Sequence, residues 1–558
     1  MKKPVKFAAA LLCLALAVAA CGDDGSTGEP TASTSASTTT EASPQPGGEI
    51  KFGTFSEAVS LDPVKMTGSG VTGAIELSAI YDTIYRYNPT TKKYEPRTAE
   101  SITPSADFTE WTLKLKSGIK FGDGTDYNAA AVIASIKRHQ DPTNSTVSRG
   151  TSAIIKSMDA VDASTVKFTL TDPWAGFTYV LADKVGMIVS PAAVAKYGKD
   201  FGGPTGYEGA GAGPFTIESY KPKEALVLRK NAAYHGGQVY LDRVTFVNIL
   251  GAAATYEALK AGTVQIAFLR EAAVIAKATD EGYKGFSNIQ QAGSVISFNL
   301  GATVTCVGGK PEPICTGKAD NTTAATDAPT KSLKVRQALI AATDPQVIND
   351  RVFQGKGKSG SELFKKDFPW YSSDSASGKY DLDAAKKLVA EAKAEGWNGK
   401  VRLNCANTPE NQNTATAVEA MWKAAGIDVT VSATKSTADH VTQYLVQKDF
   451  DAVCAGYNVG PDDGAVNTLN TNFKSPASIS RWGYGSAEMD ALLTEARKAS
   501  TDDAKRDVFK RIQNLFTKDA ISIPFAATNE SILWDKKVNG VVPSQQTVVF
   551  LDKAWLSK

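Results

Sequence analysis

Residues 382–455 alternate between helix and strand patterns, and this alternation restricts the possible folds more than any other feature. An amphipathic helix is predicted over 382–395, with Asp381 able to cap its start and Gly396 to end it. The later segments follow as strand 401–405, helix 412–425, strand 427–431, helix 437–447 and strand 450–455. Strands that alternate with helices form parallel sheets with crossover connections. An α/β lobe is therefore predicted here.

The preceding half of the chain favours antiparallel strands instead. Apolar and polar residues alternate within 85–122 and again over 163–171, and Asp123-Gly124 marks a turn. A helix is expected to begin near Asn128. The segment from Ile521 onward is strand-like and is predicted to return to the first half. The chain thus contains a mixed first half, an α/β second lobe and a returning tail.

The N-terminus has the organisation of a secretion signal. Basic residues within 2–6 precede an apolar run over 7–20, with small residues directly before Cys21. The run is shorter than the roughly 20 apolar residues that a membrane-spanning helix needs. A plain signal peptide is the alternative, but the order resembles the lipobox of bacterial lipoproteins. That resemblance implies removal of residues 1–20, lipidation of Cys21 and anchoring of the chain to the outer face of the cell membrane.

Residues 21–48 are expected to form a disordered tether that starts at the lipidated cysteine. The segment is rich in Ser, Thr and Pro and has almost no large apolar side chains, so it cannot offset the entropy cost of ordering. Beyond it remain about 500 residues, enough for two or three domains. Without residues 1–20 the chain carries 58 basic and 59 acidic residues, which excludes the positive charge typical of nucleic-acid-binding proteins.

Four cysteines remain once the leader and the lipidated residue are set aside: Cys306, Cys315, Cys405 and Cys454. In an oxidising compartment two disulfides are the default, and three connectivities are open. Free structural thiols are the alternative. The chain has no C-x-x-C sequence, so a structural zinc site is not expected.

Motifs for catalysis are scarce. The chain has three histidines, His139, His235 and His440, and neither an H-E-x-x-H nor a G-x-S-x-G sequence. Residues 68–73 match G-x-G-x-x-G, but a turn at 61–63 separates them from the preceding strand, so a loop is favoured over a dinucleotide site. No cofactor or metal is predicted. A hydrolase that uses a pair of carboxylates stays open, because sequence does not show which acids are close.

Several segments together resemble the bacterial extracellular solute-binding proteins of family 5, the dipeptide, oligopeptide and nickel receptors of ABC importers. The resemblance runs from about Glu49 to about Gly540, and its most recognisable part is Trp111–Gly124. The other matching segments, in the family's order, are Ser60–Pro63, Gly211–Phe215, Arg229–Asn231, Val335–Leu339, Thr343-Asp344, Gly355, Gly483-Tyr484, Met489-Asp490 and Arg506.

The resemblance implies an α/β, two-lobed periplasmic-binding-protein fold of type II, with a ligand enclosed between lobes that close by a hinge. It also implies a monomer without cofactor or covalent chemistry, which delivers a peptide or other small solute to an ABC permease and its ATPase. The expected parts are a first lobe at 49–298, with its core at 49–80 and 205–298 and an extra subdomain at 81–204, a second lobe at 299–520, and a return to the first lobe at 521–558.

The resemblance also selects the disulfides. It places the first and third strands of the second lobe side by side, and Cys405 and Cys454 each stand fifth in those strands. Equal depth on neighbouring parallel strands implies a Cys405–Cys454 bond. Cys306 and Cys315 are then left to close a loop.

The carboxyl ends of parallel strands face the ligand crevice in open α/β sheets, so residues after Cys454 are leading candidates for binding. Further candidates end the first strand, lie near the crossing strand, or are aromatic residues in loops. The full set is Phe55, Glu57, Asn299, Trp370, Tyr371, Gly456, Tyr457, Asn458, Asp462, Asp463 and Trp482.

One departure from the family concerns Gly456. Peptide-binding relatives commonly carry an acidic residue close after the Cys-Ala pair, where it holds the peptide's α-amine. Because a buried unpaired charge is costly, Asp462, Asp463 or Glu57 would have to replace it in this chain. The alternatives are a non-peptide ligand such as a sugar or metal chelate, a signalling receptor of the same fold, or a secreted cell-wall hydrolase.

Overall fold

The computed structural model describes residues 43–558 apart from 59, 67–69, 71–72, 145–147 and 476–480. The predicted signal, Cys21, nearly all of the tether and most of the 68–73 motif lie outside the described residues. Within the described part of the chain, no helix has the length and apolar character needed to cross a membrane.

The sequence up to residue 298 alternates short strands with short helices. In chain order these are β1 (Glu49–Thr54), α1 (Ala74–Tyr81), β2 (Tyr85–Asn88), β3 (Lys93–Pro96), β4 (Ala99–Pro104), β5 (Glu110–Leu115), α2 (Ala129–Gln140), α3 (Arg149–Ser152), β6 (Ile155–Ala160), β7 (Thr165–Leu170), α4 (Thr178–Leu181), α5 (Pro191–Tyr197), β8 (Phe215–Lys221), β9 (Ala225–Lys230), β10 (Arg243–Asn248), α6 (Ala252–Lys260), β11 (Ile266–Leu269), α7 (Ala272–Asp280) and β12 (Lys284–Phe298).

The remainder of the chain is richer in helix until its last segment. Its elements are β13 (Thr303–Thr305), β14 (Thr323–Ala325), α8 (Leu333–Ala341), α9 (Pro345–Val352), β15 (Lys358–Ser359), α10 (Leu382–Ala394), β16 (Lys400–Ala406), α11 (Pro409–Ala424), β17 (Asp428–Lys435), α12 (Thr437–Thr442), β18 (Ala452–Ala455), α13 (Gly464–Phe473), α14 (Ala487–Lys498), α15 (Asp502–Lys518), β19 (Ser522–Trp534), β20 (Val538–Asn539), β21 (Val542–Pro543), β22 (Val549–Phe550) and β23 (Trp555–Leu556).

One long mixed sheet connects both halves in the order β17-β16-β18-β12-β19-β11-β1-β10-β9-β8, with β15 beside β19. At one end β16, β17 and β18 are parallel, as the strand and helix alternation predicts. At the other end β1 is parallel to both β10 and β11. The long antiparallel pair β12 and β19 lies between them, with β18 on one side and β11 on the other. This pair is the connection between two lobes.

The antiparallel part of the first half forms a sheet of its own, β4-β5-β7-β6, which packs on α2. Its core includes Trp111, Leu113 and Phe168, and it is separate from the core that surrounds β1 and α1. This sheet and its core lie mostly within the segment where the extra subdomain is predicted. The exact domain limits stay a prediction, while Pro44–Lys558 together form one compact unit.

Side-chain caps explain where the main helices begin. Asn128 Oδ1 accepts a hydrogen bond from Ala131 N at 3.0 Å, and Asp381 Oδ1 accepts one from Ala384 N at 2.9 Å. Each such cap stabilises a helix by about 1 kcal/mol. The predicted helix 437–447 differs in its second half, because α12 continues as a wider π turn at Gln443–Gln447 and stops at Lys448, whose φ is +55°.

The structure contains both predicted disulfides. In the parallel register Leu403 pairs with Ala452 and Asn404 with Val453, so the next residues, Cys405 and Cys454, lie side by side with Cα atoms 4.8 Å apart. Cys306 bonds to Cys315 with a Cα separation of 5.4 Å and closes the loop between β13 and β14. The pairing implied by the family resemblance is confirmed.

Candidate ligand-binding site

The extra subdomain and the second lobe meet at two glycines. A Cβ atom added to Gly176, which follows β7, would lie 2.6 Å from the Cβ of Asp463. A Cβ added to Gly464 would in turn lie 2.4 Å from Cε2 of Tyr179. A real Cβ atom does not come this close to atoms to which it is not bonded. The two glycines are therefore what allows the two lobes to approach each other so closely here.

Further contacts hold the same two surfaces together. Ala175 N donates a hydrogen bond to Arg497 O at 2.8 Å, and the Arg497 guanidinium lies 5.3 Å from the ring centroid of Trp174. Asn467 Nδ2 donates to Thr151 Oγ1 at 3.1 Å. These contacts join α3 and the loop after β7 to α13 and α14. The structure thus shows the two lobes in contact.

Asp462 is the most unusual group at this contact. It is 2% exposed, Oδ1 accepts a hydrogen bond from Gly464 N at 2.8 Å, and Oδ2 has no partner among the described residues. Burial, reinforced by the neighbouring acids Asp463 and Asp183, raises the pKa of Asp462 to about 7. The carboxyl group therefore lacks the cation that a buried acid normally has.

Asp463, the next residue, is already neutralised. Lys505 Nζ lies 2.5 Å from its Oδ1, and the same ammonium lies 5.0 Å from the ring centroid of Trp370. The two adjacent acids therefore differ in whether a cation neutralises them. Asp463 takes part in an ion pair inside the second lobe, whereas Asp462 keeps an oxygen available.

Three tyrosines of the extra subdomain lie close enough to this acidic pair for its charge to add to the rise in their pKa values. Tyr87 and Tyr94 lie on the β2–β3 hairpin, and their ring centroids are 5.3 Å apart. Tyr179 lies in α4. Burial, with added repulsion from Asp463 and Asp462, raises the pKa of Tyr94 well above its ordinary value. The Tyr94 hydroxyl is buried without a hydrogen-bond partner in the described residues. Each side of the contact thus carries an unpaired polar atom.

The return segment also reaches this contact through the turn Gln545–Thr547. Gln545 Nε2 donates to Tyr179 O at 3.3 Å, and Gln546 Nε2 donates to the Tyr179 hydroxyl. Thr547 Oγ1 donates to Glu530 Oε2 at 2.7 Å. Gln546 and Thr547 have φ values of +53° and +60°, which cost roughly 1–3 kcal/mol each for residues other than glycine. Strain of this kind concentrates at functional sites.

Gly456 lies against the crossing strand, where a side chain does not fit. A Cβ added to Gly456 would lie 2.3 Å from the carbonyl oxygen of Gly293, and a Cβ added to Gly293 would lie 2.1 Å from Thr528 Oγ1. Here the register of β12 against β19 shifts between Gln290 and Ser294. The three backbones touch at this irregularity, so the position of Gly456 has no room for a side chain.

Asn458 follows this contact and is exposed, with φ +57°. Its backbone N–H approaches Ala292 O at 3.5 Å, and no side-chain hydrogen bond is formed within the described residues. Of the predicted residues directly after Cys454, Asn458 is the one whose polar side chain stays available.

Several predicted aromatic residues lie in the core of the second lobe. Trp482 is 1% exposed and stacks on Tyr444 with ring centroids 5.6 Å apart, while Trp370 stacks on Phe509 at 4.9 Å. Tyr457 packs edge-on against Trp482 and accepts a hydrogen bond from a serine hydroxyl. Tyr371 is half-buried beside the same cluster. These side chains are therefore occupied in core packing.

Asn299 is fully buried at the end of β12, and its side chain is committed to the protein. Nδ2 donates to the carbonyl oxygens of Lys448 and Phe450 at 3.3 and 3.0 Å. Oδ1 accepts hydrogen bonds from two backbone N–H groups and from Thr326 Oγ1 at 2.9 Å. The amide joins strand ends and has no remaining group for a ligand.

The candidates that follow β1 lie at the carboxyl edge of the first-lobe sheet. Phe55 is half-buried beneath Arg270, whose guanidinium lies 5.8 Å from the ring centroid. Arg270 Nε also lies 3.5 Å from Glu530 Oε1. Glu57 Oε1 accepts a hydrogen bond from Lys223 N at 2.6 Å. The structure does not link these residues by contact to Asp462.

Sequence reasoning missed the tyrosines and the turn Gln545–Thr547. Tyr87 and Tyr94 have the ordinary alternation of a hairpin, and nothing near Gln546 marks a left-handed backbone. Their importance comes from contacts with residues hundreds of positions away. Likewise, nothing in the local sequence predicts that Asp462 would have no partner for one of its carboxylate oxygens.

Two lobes joined by a pair of crossing strands, with polar groups left unpaired where the lobes meet, define a two-lobed binding protein. The sequence profile described as bacterial extracellular solute-binding proteins, family 5 Middle, matches residues 93–478. The chain belongs to this family.

Individual relatives agree with this assignment. The glutathione-binding protein GsiB of Shigella dysenteriae serotype 1 is 25% identical over 452 residues, which cover 79% of this chain and 82% of that protein. The oligopeptide-binding protein AppA of Bacillus subtilis, solved with a nonapeptide, superposes with a TM-score of 0.72 at 21% identity over 92% of this chain and 100% of AppA. AgaA of A. tumefaciens R10, solved with agropinic acid, gives 0.72 at 23% identity over 92% and 99%. The two solved structures show the fold.

Proposed function

We propose that this protein is a lipid-anchored extracytoplasmic receptor that captures a peptide-like solute with a free amine and delivers it to an ABC permease. Asp462 is proposed to hold the amine. The observation that carries the proposal is the unpaired Oδ2 of Asp462, buried where the extra subdomain meets the second lobe.

An alkylammonium group has the chemistry that this site lacks. It would donate to Asp462 Oδ2 and form a charge-assisted hydrogen bond, which is stronger than a neutral one. It would also offer a donor to the Tyr94 hydroxyl, and the faces of Tyr87 and Tyr94 attract cations. One ligand group would therefore satisfy both unpaired atoms.

The remaining sequence candidates are proposed to have different roles. Asn458 is proposed to hydrogen-bond the ligand backbone, and Phe55 to provide apolar surface on the first lobe. Trp370, Tyr371, Tyr457 and Trp482 are proposed to support the site by packing. Gly456 is proposed to allow the hinge backbones to touch, and Asn299 to join the strand ends.

A peptide-like ligand is favoured over the alternatives because the site is acidic and the unpaired carboxylate oxygen of Asp462 can accept a hydrogen bond from an amine. GsiB is named as a glutathione-binding protein, and AppA was solved with a nonapeptide. AgaA was solved with agropinic acid, so a small acid is the second candidate class. An acid without an amine would leave Asp462 unpaired, which disfavours it.

Native mass spectrometry of the compact unit Pro44–Lys558, before and after unfolding and refolding, tests ligand capture. A mass excess that disappears on unfolding is expected. Calorimetry with the recovered ligand would then compare Asp462→Asn with Asp463→Asn. Loss of one partner of a buried charge pair should weaken binding at least about 100-fold in Asp462→Asn and only a few-fold in Asp463→Asn. Equal affinity for N-acetylated and free-amine ligand would refute the amine site.

The anchor and the transport role need their own tests. Globomycin-sensitive labelling of Cys21 with a fatty acid would support the anchor, and labelling retained in Cys21→Ser would contradict it. Uptake of the identified ligand in a deletion strain separates import from sensing. Import predicts loss of uptake that the intact gene restores, while unchanged uptake favours a signalling receptor.

A further inference from the structure

The buried side chain of Glu530 anchors the return segment to the crossing strands. Glu530 lies in β19 opposite Asn288 of β12 and is 1% exposed. Its Oε2 accepts hydrogen bonds from Thr547 Oγ1 at 2.7 Å and from Gln290 Nε2 at 3.0 Å. Its Oε1 lies 3.5 Å from Arg270 Nε. One carboxylate therefore connects both crossing strands, the edge of the first-lobe sheet and the return segment.

The hydroxyl of Thr547 forms hydrogen bonds as both donor and acceptor. It donates to Glu530 and accepts from Asn288 Nδ2 at 3.1 Å, and the residue is fully buried. The backbone of Thr547 packs against Gly70, where an added Cβ would lie 2.3 Å from Thr547 O. The position of Thr547 is thus set by both crossing strands and by the loop before α1.

The return turn, residues 544–547, also bonds to two of the tyrosines near the acidic pair. Its two glutamines donate hydrogen bonds to the backbone oxygen and to the hydroxyl of Tyr179. Ser544 Oγ accepts a hydrogen bond from Tyr87 N at 3.3 Å. The Tyr179 ring lies against Gly464, the first residue of α13 in the second lobe. The return turn is therefore bonded to both elements that carry these tyrosines, the β2–β3 hairpin and α4.

We propose that Glu530 is a positioning residue for ligand capture, which acts through Thr547 and the return turn to hold Tyr87 and Tyr179 in place. The hydrogen bonds form one contiguous series from the crossing strands to Tyr179. Energetic coupling between distant groups travels through packed side chains and hydrogen-bond networks of this kind. The inference rests on the proposed function, because that function assigns the tyrosines to the ligand site.

Hydrogen exchange of the compact unit Pro44–Lys558 tests the positioning role without any ligand. Thr547→Val keeps the branched shape of the side chain and removes the hydroxyl, and Glu530→Gln keeps the size and removes the charge. In both variants the amides of α4 and β2 should exchange at least about threefold faster than in wild type, together with those of the return turn. Faster exchange confined to the return turn would overturn the proposal.

Thr343→Val is the matched control, because Thr343 is a buried threonine of the second lobe whose hydroxyl also donates and accepts. It donates to Leu339 O at 2.8 Å and accepts from Trp422 Nε1 at 2.9 Å. This variant should lose comparable stability, yet exchange in α4 and β2 should stay within about twofold of wild type. Equal acceleration in Thr343→Val would reveal a general loss of stability and would overturn the positioning role.

A double-mutant cycle on ligand affinity tests the coupling. Tyr179→Phe removes the hydroxyl that accepts from Gln546, and Thr547→Val releases the turn that carries Gln546. Each substitution should weaken binding of the recovered ligand about five- to tenfold, and the double variant should bind at most about twofold more weakly than the weaker single variant. Losses that multiply would overturn the coupling. If wild type captures no ligand, the proposed function fails, while the exchange measurement still decides the role of Glu530.

Discussion

Asp82 and Asp462 are both almost completely buried, yet their surroundings are opposite. Asp82 in the first lobe contacts Arg97, accepts a hydrogen bond from the Tyr234 hydroxyl at 2.7 Å, and lies 3.3 Å from His235 Nε2. Burial alone would raise the pKa of Asp82, but Arg97 and His235 bring it well below its usual range. Asp462 has comparable burial and no cation, so its pKa rises to about 7.

The difference shows how to separate structural from functional acids in this molecule. A buried carboxylate with a complete set of partners stabilises the protein as built. One with an unpaired oxygen at a surface between lobes is a candidate for binding a group from outside the chain. Both carboxylates are equally buried, so their partners, and not their burial, distinguish a structural acid from a candidate binding acid.

Breaking the Asp82 network should have the largest effect. Asp82→Asn removes the closer of two carboxylates beside buried Arg97, leaving Asp552 Oδ1 at 3.4 Å, and should lower the free energy of unfolding by about 3 kcal/mol. Asp462→Asn removes an uncompensated buried charge and should leave stability unchanged or slightly higher. Urea denaturation of both variants gives the comparison. Similar losses in the two variants would mean that Asp462 is also a structural group.

The two acids should also respond to pH in opposite directions. The folded protein holds a proton on Asp462 more tightly than the unfolded chain does, so this group's contribution declines as pH rises from about 4 to about 7. Its size is on the order of a few kcal/mol. Asp82, with its lowered pKa, contributes stability above its unfolded pKa near 4 that is lost at lower pH.

Denaturation of wild type and Asp462→Asn at pH 5 and pH 8 checks the first slope, since Glu76, another acid whose pKa burial raises to about 7, contributes equally to both proteins and cancels. The variant should lose less stability between the two pH values. The same proton affects binding, because an amine ligand needs the carboxylate. Affinity should increase by up to tenfold per pH unit until about pH 7 and then level off. A flat affinity profile would contradict the proposed role of Asp462.

Closure of the two lobes around Asp462 should depend on Gly464, the residue after Asp463. Gly464→Ala places a methyl group against the Tyr179 ring and should weaken ligand affinity by roughly 10- to 100-fold through a less complete closure. Gly150→Ala is the control, since nothing lies within 4 Å of its added Cβ. Calorimetry gives the affinities and small-angle scattering the compactness. Unaltered closure in Gly464→Ala would show that the contact is not needed.

The Asp463→Asn substitution should have the smallest effect on ligand affinity, and it separates the role of Asp463 from that of Asp462. Its side chain is 14% exposed and is paired with Lys505, which is 13% exposed, so Asp463→Asn should cost about 1–3 kcal/mol in stability. Ligand affinity should change a few-fold at most. Thermal unfolding and calorimetry measure both quantities, and a loss of affinity as large as that of Asp462→Asn would assign the amine to the pair rather than to one acid.

Much of the fold was predictable because its causes are local. The helix that starts after Asp381 and the one after Asn128 begin at side chains that cap them, and the strands of the second lobe follow from apolar runs separated by helices. The disulfide between Cys405 and Cys454 followed once the family resemblance set the strand order. The candidate site was predicted in part: Asp462 and Asn458 were named, but so were Trp370, Trp482 and Asn299, which the structure buries in packing or in hydrogen bonds.

The sequence alone thus determined the family, the element types, the pattern of a secretion signal and the loop in which Asp462 stands. Only the tertiary structure decided which acids have partners, that the charge of Asp462 adds to the raised pKa values of Tyr94 and Tyr179, and that a left-handed turn at Gln546 reaches Tyr179. The reason is physical. Helix and strand patterns depend on neighbours a few residues apart, whereas burial and ion pairing depend on what the folded chain brings into contact.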